Sequence, residues 1–429
     1  MLTAFNVHDW KSAQDAILNV DPLTVLIGTN SSGKSNILDA LSFLTRISSG
    51  VLLTSALQGD GILPQLRGGL EWAPRRPTDT FSLSATHRVN ETQDLTYRIE
   101  CCIHGAQCEV VSEELLRTRY KPGKDQGRGA AQRPVSLFRT DRPAESSPTV
   151  TARLYNSKAG TARQMSRASS VLYQLLGQKT LAEIQDGVEQ VIGSLRNIFI
   201  LDPFPSNMRN FSQLSDRLAP DASNIAGVLA ALPKDNKLAV ERTLTEYVSQ
   251  LPERDITRVY AEPVGKFGSD AMLYCEEGFG RTSQIDTVDA RGMSDGTLRF
   301  LAILTALLTR PANSLLVVEE VDNGLHPSRS HLLLRMLATV GKDRKVDVMV
   351  TTHNPALLDA MGTEMLPFIT VSHRDPENGA TLLTLLEDVA QLPKLLAQGL
   401  VGKLSSSGLI EEALIGRDGE RHPRELERA

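Results

Sequence analysis

The stretch GTNSSGKSNIL, residues 28–38, decides the fold of this chain. It fits the pattern G-x-x-x-x-G-K-[ST], in which a glycine-rich loop surrounds nucleotide phosphates with backbone N–H groups. The apolar run LTVLI (23–27) before it is typical of a buried strand, and apolar residues recur at helical spacing between Ser35 and Ile47. Strand, loop and helix in this order predict an α/β nucleotide-binding fold, because the helix N-terminus offers its positive dipole end to the anion.

Two side chains of this loop have expected roles in phosphate chemistry. In such loops the lysine, here Lys34, reaches the β- and γ-phosphates, and the hydroxyl that follows, here Ser35, lies on Mg²⁺. Many unrelated proteins share the loop. The pattern therefore predicts a nucleotide and Mg²⁺ as ligands without identifying the reaction.

A second motif lies far downstream, where the apolar run SLLVVEE (314–320) ends in two carboxylates. A continuous apolar run is typical of a buried parallel strand, and residues at the carboxyl end of such a strand face the ligand crevice of an α/β sheet. One acid can hold Mg²⁺ and the next can polarise an attacking water. We assign Glu319 to the metal and Glu320 to the water; the alternative is a pair of solvated acids opening a loop.

Two further motifs flank this acid pair. In MSDGTLRFLAILTALL (293–308), Ser294 can cap a helix with a broad buried face. In VMVTTH (348–353), an apolar strand ends at His353, and Asn354 can cap the helix that follows. Taken alone, the first motif is an ordinary helix start and the second a hydrogen-bonded loop histidine.

The order of these motifs, with a long gap after the first, resembles the ATPase heads of the ATP-binding-cassette (ABC) superfamily. The resemblance is closest to the branch that holds RecF, SMC and OLD-type ATPases, including predicted ATPases grouped as "AAA family". The segments that carry it cover about half of the chain: TVLIGTNSSGKSNILDALSFL, DARGMSDGTLRFLAILTALL, LLVVEEVDNGLHPSRSHLLL and VMVTTHNPALLDAM.

The resemblance implies two ATP molecules sandwiched between two subunits, each with Mg²⁺. The residues it places around the nucleotide of the same subunit are Gly28, Asn30, Ser31, Ser32, Gly33, Lys34, Ser35 and Asn36. It implies that Ser294 and Gly296 touch the partner's γ-phosphate. It also makes Glu319, with Ser35, the magnesium residue, Glu320 the catalytic carboxylate and His353 the γ-phosphate sensor, and it makes residues 322–326 a loop that crosses the dimer interface.

The chain departs from transporter ATPases in three respects. Their signature LSGGQ is MSDGT here, so Asp295 stands in place of a glycine, and the metal acid is Glu319 rather than aspartate. A glutamine loop is not assignable, because Gln58, Gln65 and Gln93 all lie in suitable territory. These departures favour a non-transport ATPase.

The motifs predict an α/β fold, an ABC-type P-loop ATPase head assembled from N- and C-terminal segments with a mixed helical/β insertion. We expect an N-terminal lobe over 1–103, an insertion over 104–281, a C-terminal lobe over 282–385 and a helical tail over 386–429. Within the insertion, helical spacing spans 170–200 and 222–251, and KPGKDQGRGAAQRP (121–134) reads as a loop.

Charge is distributed unevenly along the chain. Residues 117–167 hold twelve Lys/Arg against three acids, a local balance of +9 in a chain of net charge −5. Such a segment can bind DNA through phosphate contacts, and the alternative is a solvated insert.

Three features of the sequence concern the location of the protein. The four cysteines form no paired C-x-x-C set, no run of 18 apolar residues occurs, and the start is unlike a signal peptide. We therefore expect a cytoplasmic protein without a membrane partner.

Two functions remain open. The chain can be the ATPase and sensor subunit of a bacterial defence or DNA-processing complex, self-associated as a dimer or higher oligomer and acting with a separate effector protein such as a nuclease. Alternatively, it can be a RecF-like DNA-binding repair clamp that works without an effector nuclease. A transporter ATPase subunit is a distant third.

Overall fold

The computed structural model describes residues 1–123, 128–155, 159–251, 256–278, 285–389 and 391–415. Its strands are β1 (Leu2–Trp10), β2 (Ala13–Asn19), β3 (Leu23–Ile27), β4 (Thr80–Asn90), β5 (Gln93–His104), β6 (Gln107–Pro122), β7 (Arg128–Ala131), β8 (Val135–Thr140), β9 (Thr149–Leu154), β10 (Thr161–Ser166), β11 (Ile198–Leu201), β12 (Ser212–Gln213), β13 (Ile256–Val264), β14 (Asp270–Gly278), β15 (Ile285–Asp289), β16 (Ser314–Val318), β17 (Val346–Thr351), β18 (Ile369–Arg374) and β19 (Thr381–Leu385).

Its helices are α1 (Lys34–Ser48), α2 (Leu53–Gln58), α3 (Val171–Gln174), α4 (Ala182–Arg196), α5 (Pro205–Met208), α6 (Ile225–Ala231), α7 (Lys234–Val248), α8 (Asp295–Thr309), α9 (Ser330–Arg344), α10 (Pro355–Ala360), α11 (Leu392–Leu396), α12 (Val401–Ser406) and α13 (Leu409–Ile415). Short 3-10 helices lie at Pro327–Arg329, Thr363–Phe368 and Leu386–Asp388. None of the helices within these described ranges combines the length and the apolar character needed to cross a bilayer.

The chain divides into two compact units, each built from separated segments. The first unit comprises Met1–Asp21, Gly28–Ile198 and Thr370–Thr384. The second comprises Pro22–Ile27, Phe199–Ile369 and the chain from Leu385 onward. The head is thus assembled from both ends of the chain, as the motif order predicts.

The first unit is built on an antiparallel sheet with the strand order β10-β9-β8-β6-β5-β4-β1-β2, and β7 pairs with β6. Side chains of β4 alternate between buried and half-buried, the period expected of a sheet with one core face. The core beside α1 holds the rings of Trp10, Phe43 and Phe81, with edge-to-face contacts of 4.9 Å for Trp10–Phe81 and 5.6 Å for Phe43–Phe81. The indole N–H of Trp10 also donates to the carbonyl of Asn36 in the first turn of α1, at 2.7 Å.

The loop expected over residues 121–134 is wrong in part. Strand β6 continues to Pro122, and β7 pairs with it in antiparallel register. Arg128 explains the extension, because its guanidinium donates to both carboxylate oxygens of Asp94 (2.6 and 2.7 Å) and lies over the ring of Tyr120 at 4.3 Å. Residues 124–127 of the expected loop lie outside the described residues.

The second unit contains two sheets. In the first, strands run in the order β3-β17-β16-β11, and β16, β17 and β3 are parallel. Every residue of β16 and β17 is buried, which fits the continuous apolar runs that predicted them. In the other sheet, β14 pairs with β13, β12 and β15, and all these pairings are antiparallel.

Helices of the expected insertion agree with the sequence pattern except at one end. The spacing over 222–251 forms α6 and α7, separated at Pro233. The spacing over 170–200 forms α3 and α4, but α4 ends at Arg196 and Ile198–Leu201 form β11. Four apolar residues at the end of a helical pattern are equally compatible with a short buried strand, which is why periodicity misplaced this boundary.

The C-terminal helices pack on their own unit. The N–H of Gly402 in α12 donates to the carboxylate of Asp359 in α10 at 2.7 Å. A Cβ at Gly402 would lie 1.9 Å from the carbonyl of Pro355, so glycine permits the close approach of the two helices. Most apolar residues of these helices are buried, including Leu392, Val401, Leu404, Ile410 and Leu414, whereas Leu400 is exposed.

We predict that His87 makes the protein less stable in mild acid. The ring is fully buried in β4, where its Nδ1 lies 2.7 Å from the Ser194 hydroxyl, and burial lowers its pKa from 6.5 to about 3. Between pH 6.5 and about 3, His87 is protonated in the unfolded chain and neutral in the folded chain. The free energy of unfolding therefore falls as the pH falls through that range, by at most about 1.4 kcal/mol per pH unit. Thermal unfolding of wild type and His87→Gln between about pH 7.5 and 5.5 should show a shallower pH slope for the variant.

The exposed His104 provides the matched control, because it lies in the same unit without the burial. His104→Gln should keep the wild-type slope. Equal slopes for wild type and His87→Gln would show that folding does not lower the pKa of His87, contrary to its burial.

Candidate functional site

The phosphate loop joins β3 to α1 through backbone that suits glycine. Gly28 and Gly33 have φ of +143° and +111°, and Gly33 is the N-cap of α1. A Cβ at Gly33 would lie 2.1 Å from the hydroxyl oxygen of Thr381, and one at Gly28 would lie 2.1 Å from the carbonyl oxygen of Ser372. Both conformation and space therefore require glycine at the two fixed positions of the motif.

Lys34 and Ser32 give this loop the chemistry of an anion site. The ammonium of Lys34 donates to the carbonyls of Gly28 (2.6 Å) and Thr29 (2.9 Å), so the cation lies over the loop. Ser32 is 1% exposed, and its hydroxyl has no hydrogen-bond partner among the described atoms. A cation, an unmatched buried hydroxyl and the N-terminus of a 15-residue helix suit a nucleotide phosphate.

The remaining predicted residues of the loop differ in exposure. Asn30 and Ser31 are exposed, and Ser35 is half-buried at the first turn of α1. Asn36 is half-buried, and its side-chain amide donates to the Ser12 hydroxyl at 2.6 Å. The amide of Asn36 is thus engaged within the protein, a contact that the motif does not reveal.

Two acids follow β16, and one of them has an unusual backbone. The N–H of Glu319 donates to the Leu201 carbonyl at 3.1 Å. Glu320 has φ +46°, and its N–H donates to the Thr351 hydroxyl at 2.8 Å. Its carboxylate Oε1 lies 3.9 Å from Nδ1 of His353, and both side chains are about half exposed, 46% and 51%. The acid and the histidine predicted from sequence are therefore neighbours that a ligand can reach.

The backbone of Glu320 is strained, and its surroundings hold it. A left-handed conformation costs a residue with a Cβ about 1–2 kcal/mol. Next to it, the buried carboxylate of Asp322 accepts from the Thr352 hydroxyl at 2.7 Å, and the N–H of Asn323 donates to the Glu320 carbonyl at 2.9 Å. These contacts hold the backbone of Glu320, and the side-chain amide of Asn323 donates to its carboxylate at 3.4 Å.

Parallel pairing gives one sheet of the second unit an edge at which three strands end. β16, β17 and β3 run in the same direction, so their carboxyl ends meet at one edge of the sheet. Along the chain these strands are followed by Glu319, Thr352 and Gly28, respectively. In α/β sheets this is the edge at which ligands bind.

The helix start MSDGT is shaped by three local contacts. The hydroxyl of Ser294 accepts from the N–H of Thr297 at 3.1 Å and so caps α8. A Cβ at Gly296 would lie 2.8 Å from the carbonyl of Gly324 and 2.6 Å from the guanidinium of Arg329, so this glycine allows α8 to begin against the loop that follows the acids. At this helix start Ser294 is exposed, while Gly296 is buried against the loop that follows the acids.

Sequence reasoning missed Arg209, which contacts this helix start. Its guanidinium donates to the carbonyl of Met293 (2.9 Å) and to the carboxylate of Asp295 (2.7 Å). Asp295 occupies a glycine position of the transporter signature, and Arg209 balances the charge that this replacement brings. An arginine 86 residues away in sequence gives no local signal of this pairing.

The basic segment 117–167 is partly neutralised in the fold. Six of its arginines form ion pairs with carboxylates: Arg117 and Arg119 with Glu183, Arg128 with Asp94, Arg142 with Glu100, Arg153 with Asp141 and Arg167 with Glu109. Four of these five acids lie outside residues 117–167, so the net charge counted over that segment does not include them. Among the described residues, the exposed basic side chains of the segment are Arg119 and Arg142, which form ion pairs, and Lys121, Arg133 and Arg139.

We predict that Gly33→Ala distorts the phosphate loop. A Cβ combines a disfavoured φ with a clash against Thr381, so the variant should lose at least about 1–2 kcal/mol of stability. Gly193→Ala is the matched control, because Gly193 lies inside α4 with open space around its Cβ. Thermal unfolding should show a lower midpoint for Gly33→Ala and an equal or higher one for Gly193→Ala, since alanine favours helices. A Gly33→Ala chain as stable as wild type would contradict the loop geometry.

No curated protein matches the chain. Solved structures with a similar fold include an SMC head bound to the C-winged helix domain of ScpA (15% identity, TM-score 0.45, covering 89% of this chain and 97% of that one) and an SMC head domain from Thermotoga maritima (14%, 0.40, 90% and 98%). Another is an Smc head with an extended coiled coil bound to the C-terminal domain of ScpA from Pyrococcus furiosus (11%, 0.45, 92% and 99%).

Family models identify the chain. Residues 1–119 match a model described as "AAA ATPase domain". Residues 132–359, more than half of the chain, match one described as "AAA domain, putative AbiEii toxin, Type IV TA system". These matches confirm the resemblance inferred from the motifs, and the chain belongs to this second family of P-loop ATPases, with an ABC-like head.

Proposed function

We propose that the chain binds ATP with Mg²⁺ and hydrolyses it, and that it does so as a self-associating subunit. The observation that carries this proposal is the pairing of Glu320 with His353, 3.9 Å apart at the carboxyl edge of a parallel sheet, with Glu320 held in a strained backbone. Strain of this kind persists where the surroundings impose it and is concentrated at active sites. The family match supports the same conclusion.

The residues that would hold the cofactors are those of the phosphate loop and the first acid. Backbone N–H groups of the loop and the Lys34 ammonium would bind the phosphates, and the Ser35 hydroxyl with Glu319 would hold Mg²⁺. Magnesium is commonly bound by one or two carboxylates together with phosphate oxygens, which fits so small a set of protein ligands. Bound ATP·Mg²⁺ would supply the phosphoanhydride bond to be cleaved and a metal charge to neutralise the negative charge that develops on the phosphate oxygens.

Glu320 and His353 would then position the attacking water. Glu320 orients the water and accepts its proton, a role that suits a solvent-accessible carboxylate fixed at its backbone. His353, beside it, would contact the γ-phosphate and so report whether that phosphate is present. Ser294 and Gly296 at the start of α8 would contact the nucleotide of a second copy, which makes hydrolysis dependent on self-association.

The biological role that we infer is an ATPase and sensor subunit of a bacterial defence complex with a separate effector. The family description, which names a toxin of a type IV toxin–antitoxin system, supports this inference. The alternative of a DNA clamp loses support from the ion pairs of segment 117–167, because paired arginines offer less charge to DNA phosphates. Lys121, Arg133 and Arg139 are the residues on which DNA binding through this segment would depend.

Glu320→Gln tests the hydrolytic role. Removing the carboxylate should lower the steady-state rate of ATP hydrolysis about a hundredfold or more, while the affinity for ATP stays within about threefold. Lys34→Ala should instead lose ATP affinity by about tenfold or more, because a charged phosphate contact is gone. The exposed Glu364 lies in the same unit as Glu320, and Glu364→Gln serves as the control with unchanged hydrolysis.

Light scattering on Glu320→Gln tests self-association. We expect the mass to rise on addition of ATP·Mg²⁺, and Ser294→Arg should abolish the rise without lowering ATP affinity.

Normal hydrolysis by Glu320→Gln would remove Glu320 from the catalytic role. A salt-dependent complex with duplex DNA, lost in Lys121→Glu/Arg133→Glu, would favour the clamp instead.

A further inference from the structure

A hairpin late in the chain encloses the phosphate loop. Residues 370–384 belong to the first unit and include most of β18 and β19. The turn between the strands is fixed by Asp375, whose carboxylate accepts from the N–H of Glu377 at 2.8 Å, while its backbone exchanges hydrogen bonds with Ala380 and Gly379. The hairpin is therefore a defined support and not a loose connection.

Three side chains of this hairpin donate hydrogen bonds to two successive carbonyls of the phosphate loop. Nε of Arg374 donates to the Ser31 carbonyl at 2.9 Å. The hydroxyls of Thr381 and Ser372 donate to the Ser32 carbonyl at 2.8 and 3.2 Å. The contacts join positions more than 300 residues apart in sequence.

These contacts fix the direction of the loop's N–H groups. In a trans peptide the C=O of one residue and the N–H of the next point in opposite directions. Because the Ser32 carbonyl faces the hairpin, the N–H of Gly33 faces away from it. The N–H of Ser32 likewise turns inward and donates to the Thr29 carbonyl at 3.2 Å. The donors on the carbonyls of Ser31 and Ser32 thus hold the peptide that carries the Gly33 N–H, which faces away from the hairpin, while the Ser32 N–H closes the turn within the loop.

A chain of hydroxyls extends this support to the first turn of α1. Since the Thr381 hydroxyl donates to Ser32, it accepts from the Ser12 hydroxyl, 2.7 Å away. Ser12 in turn accepts from the side-chain amide of Asn36 at 2.6 Å. Every group in this sequence donates in one direction, an arrangement in which hydrogen bonds strengthen one another.

Arg374 also places a positive charge at the tip of the loop. Its Nη1 donates to the Gly379 carbonyl at 2.7 Å, so the guanidinium is held at two points, on the hairpin and on the loop. The side chain is nevertheless exposed. An exposed but fixed cation beside a phosphate loop favours anion binding.

We propose that Arg374 and Thr381 are positioning residues for phosphate binding, and that the 370–384 hairpin gives the loop its binding-competent shape before nucleotide arrives. The proposal rests on the proposed ATP binding for its functional consequence. Its structural part concerns the loop alone and is measurable without nucleotide.

Amide hydrogen exchange of the nucleotide-free chain tests the structural part. Arg374→Ala and Thr381→Val each remove a donor to a loop carbonyl and should speed exchange in the peptide spanning residues 29–38 by about fivefold or more. Thr381→Ser keeps the hydroxyl and should leave exchange unchanged. Arg163→Ala is the matched control, because Arg163 also donates to a backbone carbonyl of the same unit, that of Lys179 at 3.0 Å.

Equilibrium binding of ADP and ATP tests the functional part. Arg374→Ala and Thr381→Val should weaken both nucleotides about tenfold, and Thr381→Ser and Arg163→Ala should stay within about twofold of wild type. Adenosine, which lacks phosphates, should bind all these variants alike. Rescue by Thr381→Ser separates a hydroxyl that positions the loop from a side chain that merely fills space.

The outcomes separate this proposal from the proposed function. If Arg374→Ala and Thr381→Val bind nucleotide like wild type, the positioning role is overturned, whether or not exchange changes. If wild type itself binds neither ATP nor ADP, the proposed function fails, and hydrogen exchange alone decides whether the hairpin shapes the loop. Unchanged exchange in both variants would overturn the proposal in that case.

Discussion

Parallel pairing of three strands is the constraint on which the candidate site depends. Parallel neighbours need long crossover connections, so the segments that end at one sheet edge come from distant parts of the sequence. β3, β16 and β17 satisfy this constraint, with the phosphate loop, the acid pair and the histidine-containing turn following their carboxyl ends. The buried apolar residues of β16 and β17 keep the edge in place, while the side chains of Glu320 and His353, which come after them, are about half exposed.

The sequence was sufficient to predict the motifs whose structure depends on a few neighbouring residues. A glycine with positive φ, a serine that caps a helix and a continuous apolar strand each leave a pattern within a few residues, and Gly33, Ser294 and β16 follow their patterns. The antiparallel extension around β6 and β7 was harder to predict. Arg128 stabilises it through Asp94, and a Gly-rich composition indicates a loop where no such partner is visible in sequence.

Ion pairs between residues distant in sequence could not be predicted from the sequence either. The acids that balance the basic segment, and the Arg209 that balances Asp295, are brought near by the fold and not by sequence proximity. A net charge counted along a segment therefore overstates the field that a polyanion would meet. The ion pairs also link elements of the first unit, such as β7 to β5 through Arg128 and Asp94, and β6 to α4 through Arg117 and Glu183.

The hairpin over 370–384 has a consequence for how the protein is made. A ribosome releases the phosphate loop early and the hairpin last among the segments of the first unit. Domains fold as their segments become available, so a nascent chain holds residues 28–36 without the donors that orient them. The donors that orient the loop are therefore present only after residues 370–384 have been translated, and a chain that stops before residue 370 carries the phosphate-loop motif without them.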